Sequence, residues 1–181
     1  MSRRLKWIVA MIVLAVAWSP LRAQPKPASL DAPNVVAISP RLVTSGQPTA
    51  ASLATLAAQG FGAVIYLAPP TVPDAVRDEK AIVEGQGLAF VNIPINFGKP
   101  VEADFDAFRA ALDKLSDRKV LVHCQINLRA STMVFLHRVL VEGVPPEQAY
   151  AAVAGVWTPE GPWKALVVEL LQKRGIAFEP Y

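Results

Sequence analysis

Cysteine, histidine and charge are scarce in this sequence, and each scarcity excludes a class of protein. The 181 residues contain one cysteine, Cys124, so the chain can form no internal disulfide. The two histidines, His123 and His137, add too few soft ligands for a zinc cluster, and we expect neither a metal nor a cofactor. Only 18% of the residues are charged whereas 52% are hydrophobic, a balance typical of a folded chain.

The formal net charge of +3 comes from the N-terminal segment. Residues 1–23 contain four basic residues and no acidic one (Arg3, Arg4, Lys6 and Arg22). The rest of the chain has 14 basic against 15 acidic residues and no basic cluster. It therefore lacks the positive surface that attracts a phosphate backbone, and we exclude nucleic acid as a partner.

The same segment has the layout of a secretory signal peptide. A positive start precedes an uninterrupted apolar run of 12 residues, 7–18, and Ala23 offers a small residue for cleavage. Because such a run is well short of the roughly 20 residues that span a bilayer, we expect no stable membrane span after cleavage. The prediction is a periplasmic or secreted protein cleaved after Ala23, and an uncleaved N-terminal anchor is the alternative.

Apolar runs and helical periodicities alternate along most of the chain. Residues 24–33 are rich in proline and alanine and predict a flexible lead-in, so the domain comprises residues 34–181. The patterns predict short strands within 34–43, strands at 63–67, 88–95 and 119–124, and helices at 49–59, 74–84, 103–115, 130–141, 146–156 and 163–174. This alternation predicts an α/β fold with a mostly parallel central sheet flanked by helices.

Cys124 ends the apolar segment 119–124, which is typical of a central strand covered on both faces. Ligands of such sheets bind beyond the carboxyl ends of the strands. The following loop and the N-terminus of the next helix would offer N–H groups to an anion, and the same field stabilises a thiolate. Asn127 stands in mid-loop, where a tight cradle needs a positive φ, and Arg129 adds positive charge. A buried, inert cysteine is the alternative interpretation.

The residues around Cys124 match a known signature. The segment His123-Cys124-Gln125-Ile126-Asn127-Leu128-Arg129-Ala130-Ser131 resembles the loop H-C-x-x-G-x-x-R-S/T of the cysteine-based protein tyrosine and dual-specificity phosphatases. Weaker matches are Ser45-Gly46-Gln47-Pro48, Asp78-Glu79 and Ile93-Pro94-Ile95. Together, over about residues 35–144, they look like the bacterial phosphatase-like domains related to that of beta-lactamase-hydrolase-like proteins.

The resemblance implies a cysteine-phosphatase fold and hydrolysis of phosphomonoesters in a phosphorylated protein or small molecule. Cys124 would attack phosphorus and form a phosphocysteine, while Arg129 would bind the phosphate oxygens. His123 would help stabilise the thiolate from behind, and Ser131 would assist its release. The substrate-binding loop would comprise Gln125, Ile126, Asn127, Leu128 and Ala130.

The signature arginine is displaced relative to the family pattern. In an ungapped alignment the family's arginine falls on Ala130, so Arg129 comes one residue early. Related bacterial domains have this shorter spacing, and so does the sulfurtransferase loop C-x-x-G-x-R. One step along a loop or new helix rotates the direction of a side chain by roughly a quarter turn. The sequence therefore does not predict that Arg129 binds phosphate through the usual pair of parallel hydrogen bonds.

The general acid of the family is also missing from its usual place. The position after Ile93-Pro94-Ile95 falls near Asn96 or Phe97, and neither side chain is an acid. Asp104 and Asp106 are the nearest carboxylates, and Asp104 is the candidate acid. A structural role for both, as negative charges in the first turn of a helix, is the favoured interpretation.

Two further functions remain open at this point. A persulfide on Cys124 would make the protein a rhodanese-like sulfurtransferase, which the spacing of Arg129 favours. A pseudophosphatase that binds a phosphorylated partner or an anion without turnover is favoured by the displaced arginine and the missing acid. The sequence specifies neither the substrate nor the oligomeric state.

Overall fold

The structure, a computed structural model, describes residues 30–181. The predicted signal peptide and most of the predicted lead-in lie outside the described residues. Within residues 30–181, no helix combines the length and the apolar character needed to cross a membrane.

Five short strands form one sheet. They are β1 (Val36–Ser39), β2 (Leu42–Ser45), β3 (Ala63–Tyr66), β4 (Ala89–Asn92) and β5 (Val120–His123). The order across the sheet is β1-β2-β5-β3-β4, with β1 antiparallel to β2 and every other neighbouring pair parallel. The predicted α/β fold with a mostly parallel sheet is thereby confirmed, and β5 lies at the centre of the sheet.

Helices cover both faces of this sheet. They are α1 (Ala50–Leu53), α2 (Glu79–Glu84), α3 (Glu102–Lys114), α4 (Leu128–Leu140), α5 (Pro146–Ala154) and α6 (Gly161–Gln172). The helix predicted at 49–59 divides into α1 and a short 3₁₀-helix, Ala57–Gln59. The helix predicted at 74–84 begins only at Glu79, because hydrogen-bonded turns occupy the proline-rich stretch before it.

Side chains of β3 and β5 alternate between two apolar cores. Val64 and Leu121 pack with residues of α1 and α2 on one face. Ile65 and Val122 belong to the larger core on the other face, together with α3, α4, α5 and α6. Because both faces are covered, these strands are apolar without polar alternation, as the sequence of 119–124 predicts.

Helix α4 is the most enclosed helix among the described residues. Ten of its 13 residues are buried, including polar ones in its first turn. A helix enclosed on all sides is held rigidly by its neighbours. The start of α4, which directly follows the loop after Cys124, is therefore a fixed point of the fold.

The end of the predicted flexible lead-in packs against the domain. The Asp31 carbonyl accepts a hydrogen bond from the Thr49 N–H at 3.0 Å, and the Pro33 carbonyl accepts one from Gly46 at 2.7 Å. The Asp31 N–H donates to Ser52 Oγ at 3.0 Å. The structure differs here from the sequence expectation, because backbone hydrogen bonds that composition does not reveal tie these residues to the turn after β2.

Candidate active site

The loop after β5 is built around Asn127. This residue has φ 74°, the left-handed conformation predicted for it, and it caps the start of α4. Its Nδ2 donates to the Asn34 carbonyl at 2.6 Å and to Thr44 Oγ1 at 3.0 Å. In return, Asn34 Nδ2 donates to the Ile126 carbonyl at 2.9 Å. The asparagine that stands at the family's glycine position thus anchors the loop to β2 and to the segment before β1.

The turn after β2 supports the same loop from below. The Cys124 N–H donates to the Ser45 carbonyl at 3.3 Å, and the Gln47 N–H donates to the Gln125 carbonyl at 2.9 Å. A Cβ on Gly46 would lie 2.7 Å from that Gln125 carbonyl oxygen, closer than real Cβ contacts. Glycine is required here because the two backbones touch.

A cavity of about 190 Å³ opens at the carboxyl end of β5. It is lined by Asp74, Phe97, Cys124, Gln125, Ile126, Leu128 and Arg129. Cys124 is only 1% exposed, so its thiol lies at the floor. Another cavity, of about 290 Å³, lies beside Val120 and His137 at the opposite end of β5 and has no cysteine in its lining.

Arg129 is held inside the cavity although it comes one residue early. Its Nε donates to the Ile95 carbonyl at 3.1 Å, and its Nη1 donates to Gln125 Oε1 at 3.4 Å. The guanidinium carbon lies 5.0 Å from the centre of the Phe97 ring. Guanidinium has five N–H donors, and these contacts use two of them. The side chain is therefore oriented by the loop after β4 and brought to the same cavity as Cys124.

His123 immediately precedes Cys124 and is completely buried. Its Nε2 is 2.6 Å from Glu79 Oε1, and its ring stacks on Tyr66 with the centroids 4.7 Å apart. The other carboxylate oxygen of Glu79 accepts a hydrogen bond from Gln47 Nε2 at 2.8 Å. We call Gln47, Glu79 and His123 the buried triad; it joins the turn after β2, the start of α2 and the end of β5.

Glu79 is a buried partner of His123 that the sequence patterns do not assign to the site. Its carboxylate is only 4% exposed, and buried carboxylates are rare unless they are paired. The one indication in the sequence was that Asp78-Glu79 matches the pattern of the phosphatase family. A first-turn helix glutamate is usually solvated, however, so nothing in the sequence shows that this one points at His123.

Tyr66 completes the wall behind His123. Its hydroxyl donates to the Pro69 carbonyl at 3.2 Å. Burial, reinforced by the negative charge of Glu79, raises the pKa of the phenol well above its ordinary value of 10.0. Tyr66 is thus a neutral aromatic surface for the imidazole over the whole physiological pH range.

Five of the ten residues predicted for the site do not line the cavity: His123 and Asn127, described above, and Ala130, Ser131 and Asp104. Ala130 is fully buried in the larger core and does not line the cavity. The Ser131 hydroxyl donates to the Leu128 carbonyl at 3.3 Å within α4. Asp104 Oδ2 accepts the Val101 N–H at 2.9 Å, so this carboxylate caps α3 instead of reaching the thiol. The structure therefore corrects the expectation for Asp104, because its side chain turns back to its own helix N-terminus.

One carboxylate that the sequence did not suggest does reach the cavity. Asp74 lines it, and its Oδ1 accepts a hydrogen bond from Gln125 Nε2 at 2.8 Å. The sequence predicts a helix that begins at Asp74. A negative charge is common at a helix N-terminus because it interacts favourably with the helix dipole, so the residue did not suggest a role in the site. Across residues 30–181, no cluster of His, Cys, Asp and Glu side chains is suited to hold a metal ion.

Sequence comparisons find relatives of this chain among known proteins. The model of a family described as DSP-PTPase phosphatase fused to NAD+ kinase matches residues 27–158. The beta-lactamase hydrolase-like protein of Xylella fastidiosa strain Temecula1 is 34% identical over 113 residues, which are 59% of this chain and 25% of that protein. The chain thus corresponds to about a quarter of the length of this relative. The protein of the same description from Agrobacterium fabrum is 32% identical over 111 residues, with the same coverage.

Solved structures show the same fold. A DUF442 protein from Shewanella putrefaciens CN-32, assigned to the phosphatases, is 31% identical with a TM-score of 0.72, covering 79% of this chain and 92% of that one. A cysteine-to-serine variant of P. aeruginosa TpbA in complex with phosphotyrosine is 22% identical with a TM-score of 0.57, covering 78% and 83% of the two chains. At that lower identity the likeness to TpbA shows the fold alone.

Proposed function

Because the chain belongs to the DSP-PTPase phosphatase family, we propose that it hydrolyses phosphomonoesters with Cys124 as the nucleophile. The observation that carries this proposal is the meeting of Cys124 and Arg129 in one cavity of about 190 Å³. The cavity lies where the carboxyl end of β5 meets the N-terminus of α4, a place with unpaired N–H groups and a positive dipole end. Such a site favours a dianionic phosphate and a thiolate together.

The chemistry starts with attack of the Cys124 thiolate on phosphorus. A bond forms between sulfur and phosphorus while the bond to the leaving oxygen breaks, which gives a phosphocysteine. Arg129 and the loop N–H groups stabilise the charge that spreads over the equatorial oxygens. Water then attacks the phosphocysteine, releases inorganic phosphate and regenerates the thiolate.

The surroundings of the loop support its pre-organisation. Arg129 is fixed by Ile95 and Gln125, and the loop is fixed by Asn127 and by the turn at Gly46. The buried triad holds His123 directly behind the nucleophile. Catalytic donors that are already oriented need no reorganisation during the reaction, which is the main source of electrostatic catalysis.

The substrate class that we propose is an aryl phosphate, in a phosphorylated protein or a small molecule. Phe97 and Ile126 line the cavity and are 38% and 50% exposed, so they present apolar surface at its mouth. Phe97 is backed by Trp157 and Trp163, with ring centroids 6.0 and 5.6 Å away. A rigid aromatic surface of this kind suits stacking of an aromatic leaving group.

The experiment is hydrolysis of para-nitrophenyl phosphate by the wild-type protein and by Cys124→Ser. We expect turnover in the wild type and none in the variant, while the variant still binds the substrate in calorimetry. Arg129→Lys keeps the charge but loses the fork geometry, and we expect a fall in kcat/KM of about 10²-fold or more. Turnover that persists in Cys124→Ser would overturn the proposal.

Two further assays on the wild-type protein test sulfur transfer and binding without turnover. If the wild type does not hydrolyse the aryl phosphate but transfers sulfur from thiosulfate to cyanide, a Cys124 persulfide replaces the phosphocysteine. If it binds inorganic phosphate and catalyses neither reaction, it is a pseudophosphatase. Either result would contradict phosphatase function.

We further propose that the protein acts outside the cytoplasm. The positive start and the 12-residue apolar run within residues 1–23 support this location. Cell fractionation followed by N-terminal sequencing tests it, and we expect a periplasmic or secreted protein that begins at Gln24. A cytoplasmic protein with an intact first segment would overturn the proposal.

A further inference from the structure

We propose that Asp74 is the proton donor to the leaving group and, in the second step, the base that activates water. This inference rests on the proposed phosphatase function and assigns its missing acid to the loop between β3 and α2. The family pattern places the acid after β4 instead, at the positions that Asn96 and Phe97 occupy here. Asp74 would thus perform the role from a different loop, the one between β3 and α2.

The first support is position. Of all Asp and Glu residues within 30–181, only Asp74 lines the cavity that contains Cys124. The carboxylate is exposed at the mouth, where the leaving group of a bound phosphate must lie when its phosphorus is above the thiol. A general acid has to lie within hydrogen-bond reach of that leaving oxygen.

The second support is the link from Asp74 to the phosphate-binding loop. Gln125 donates through Nε2 to Asp74 Oδ1 at 2.8 Å and accepts from Arg129 Nη1 through Oε1 at 3.4 Å. One amide therefore fixes the distance between the carboxylate and the guanidinium. The hydrogen bond from Gln125 uses Oδ1, and Asp74 Oδ2 has no hydrogen-bond partner among residues 30–181.

The third support is the rigidity of the loop that carries the acid. The Ala75 N–H donates to the Val72 carbonyl at 3.1 Å, which closes a turn with Pro73 and Asp74 at its two central positions. Proline fixes φ at the first of these positions, as β-turns favour. Val72 and Ala75 pack against the larger core on either side. The turn therefore holds Asp74 at the cavity instead of letting it swing in solvent.

The positions where the family pattern expects an acid are engaged in other contacts. Asn96 Oδ1 accepts the Gly98 N–H at 2.9 Å, and the Phe97 carbonyl accepts Trp163 Nε1 at 2.9 Å. Asp104 caps α3. None of these groups offers a proton to the cavity, so the loop after β4 contributes an aromatic wall and the anchor for Arg129.

The proton balance of the two steps is complete. As sulfur attacks phosphorus, the electron pair of the breaking P–O bond goes to the leaving oxygen, which takes the proton of Asp74. The Asp74 carboxylate then takes a proton from the water that attacks the phosphocysteine. The S–P bond breaks, the thiolate returns, inorganic phosphate leaves and Asp74 is protonated again.

The experiment compares two aryl phosphates with different leaving groups. Dinitrophenolate is a good leaving group that needs little protonation, whereas phenolate needs a proton. We expect Asp74→Asn to lower kcat/KM for phenyl phosphate by about 10²-fold or more, and for dinitrophenyl phosphate by less than about threefold. Asp78→Asn is the matched control, because Asp78 belongs to the same exposed segment, does not line the cavity and makes no side-chain cap to α2.

The dinitrophenyl phosphate measurement also reports folding, because a misfolded variant would lose both activities. For an Asp74→Asn protein whose urea unfolding matches that of the wild type, equal losses on both substrates, or no loss on either, would overturn the role of Asp74 while leaving the Cys124 chemistry intact. The same selective loss in Asp78→Asn would also overturn it, since the effect would then follow from loop charge. If wild-type protein shows no Cys124-dependent turnover of dinitrophenyl phosphate, the proposed function fails and this inference fails with it.

Discussion

Removal of the Glu79 carboxylate tests whether the buried triad stabilises the end of β5, which directly precedes Cys124. Glu79→Ala deletes the hydrogen bond to His123 Nε2 at 2.6 Å and the one from Gln47 Nε2 at 2.8 Å. Glu79→Gln is the matched variant, because it has nearly the same shape and keeps one oxygen as an acceptor for His123. The comparison separates the loss of contacts from the loss of charge.

The expected loss in the free energy of unfolding follows from the buried polar groups that Glu79→Ala leaves unpaired. Among residues 30–181, His123 Nδ1 already has no hydrogen-bond partner, so Glu79→Ala would leave both nitrogens of a fully buried ring unpaired. Each unsatisfied buried polar group costs about 1–3 kcal/mol, and breaking a buried charged contact costs about 3–5 kcal/mol in total. We expect Glu79→Ala to lower the free energy of unfolding by that total, and Glu79→Gln by about 1 kcal/mol.

The assay is urea unfolding followed by tryptophan fluorescence, with Trp157 and Trp163 as reporters inside the domain. Glu84→Ala is the surface control, because Glu84 pairs only with Lys80 on the exposed side of α2. Such exposed pairs contribute at most about 0.5 kcal/mol. A Glu79→Ala protein as stable as Glu84→Ala would refute the argument, since the triad would then carry no free energy.

Two other changes test the support of the loop. Gly46→Ala places a Cβ 2.7 Å from the Gln125 carbonyl oxygen. We expect the free energy of unfolding to fall by about 1–3 kcal/mol and aryl phosphate turnover to fall with it. Gly155→Ala is the control and should change neither quantity, because the nearest atom to its added Cβ lies at 3.8 Å. Burial and the charge of Glu79 raise the pKa of Tyr66 above 10.0, so its contribution to stability is complete below about pH 10 and is lost above it, by about 1.4 kcal/mol per pH unit. Urea titrations at increasing alkaline pH should show a smaller decline for Tyr66→Phe, and an unchanged decline would contradict the assignment.

The fold could be predicted because its signals are local. A strand covered on both faces is uniformly apolar, so the segment 119–124 showed the position of β5 and placed Cys124 at its end. The positive φ of Asn127 followed from its residue type and its place in the loop. The alternation of strands with helices then predicted a mostly parallel sheet, although it did not predict the order of the strands.

The rest of the candidate site depends on contacts between distant residues. Glu79 and His123 are 44 positions apart, and Asp74 and Gln125 are 51 positions apart. No periodicity or motif reports such pairs in a single sequence. Asp74 was further concealed because an aspartate at the start of a predicted helix already has a sufficient explanation in the helix dipole.

The clamp between Asn34 and Ile126 joins two groups 92 positions apart. While the chain is being synthesised, β1 and β2 are complete long before the segment after β5 emerges. The contacts that hold the loop after Cys124 therefore cannot form until that segment has been synthesised. A nascent or partly unfolded chain therefore has the Cys124 thiol without the loop contacts and the Arg129 side chain that surround it in the folded domain.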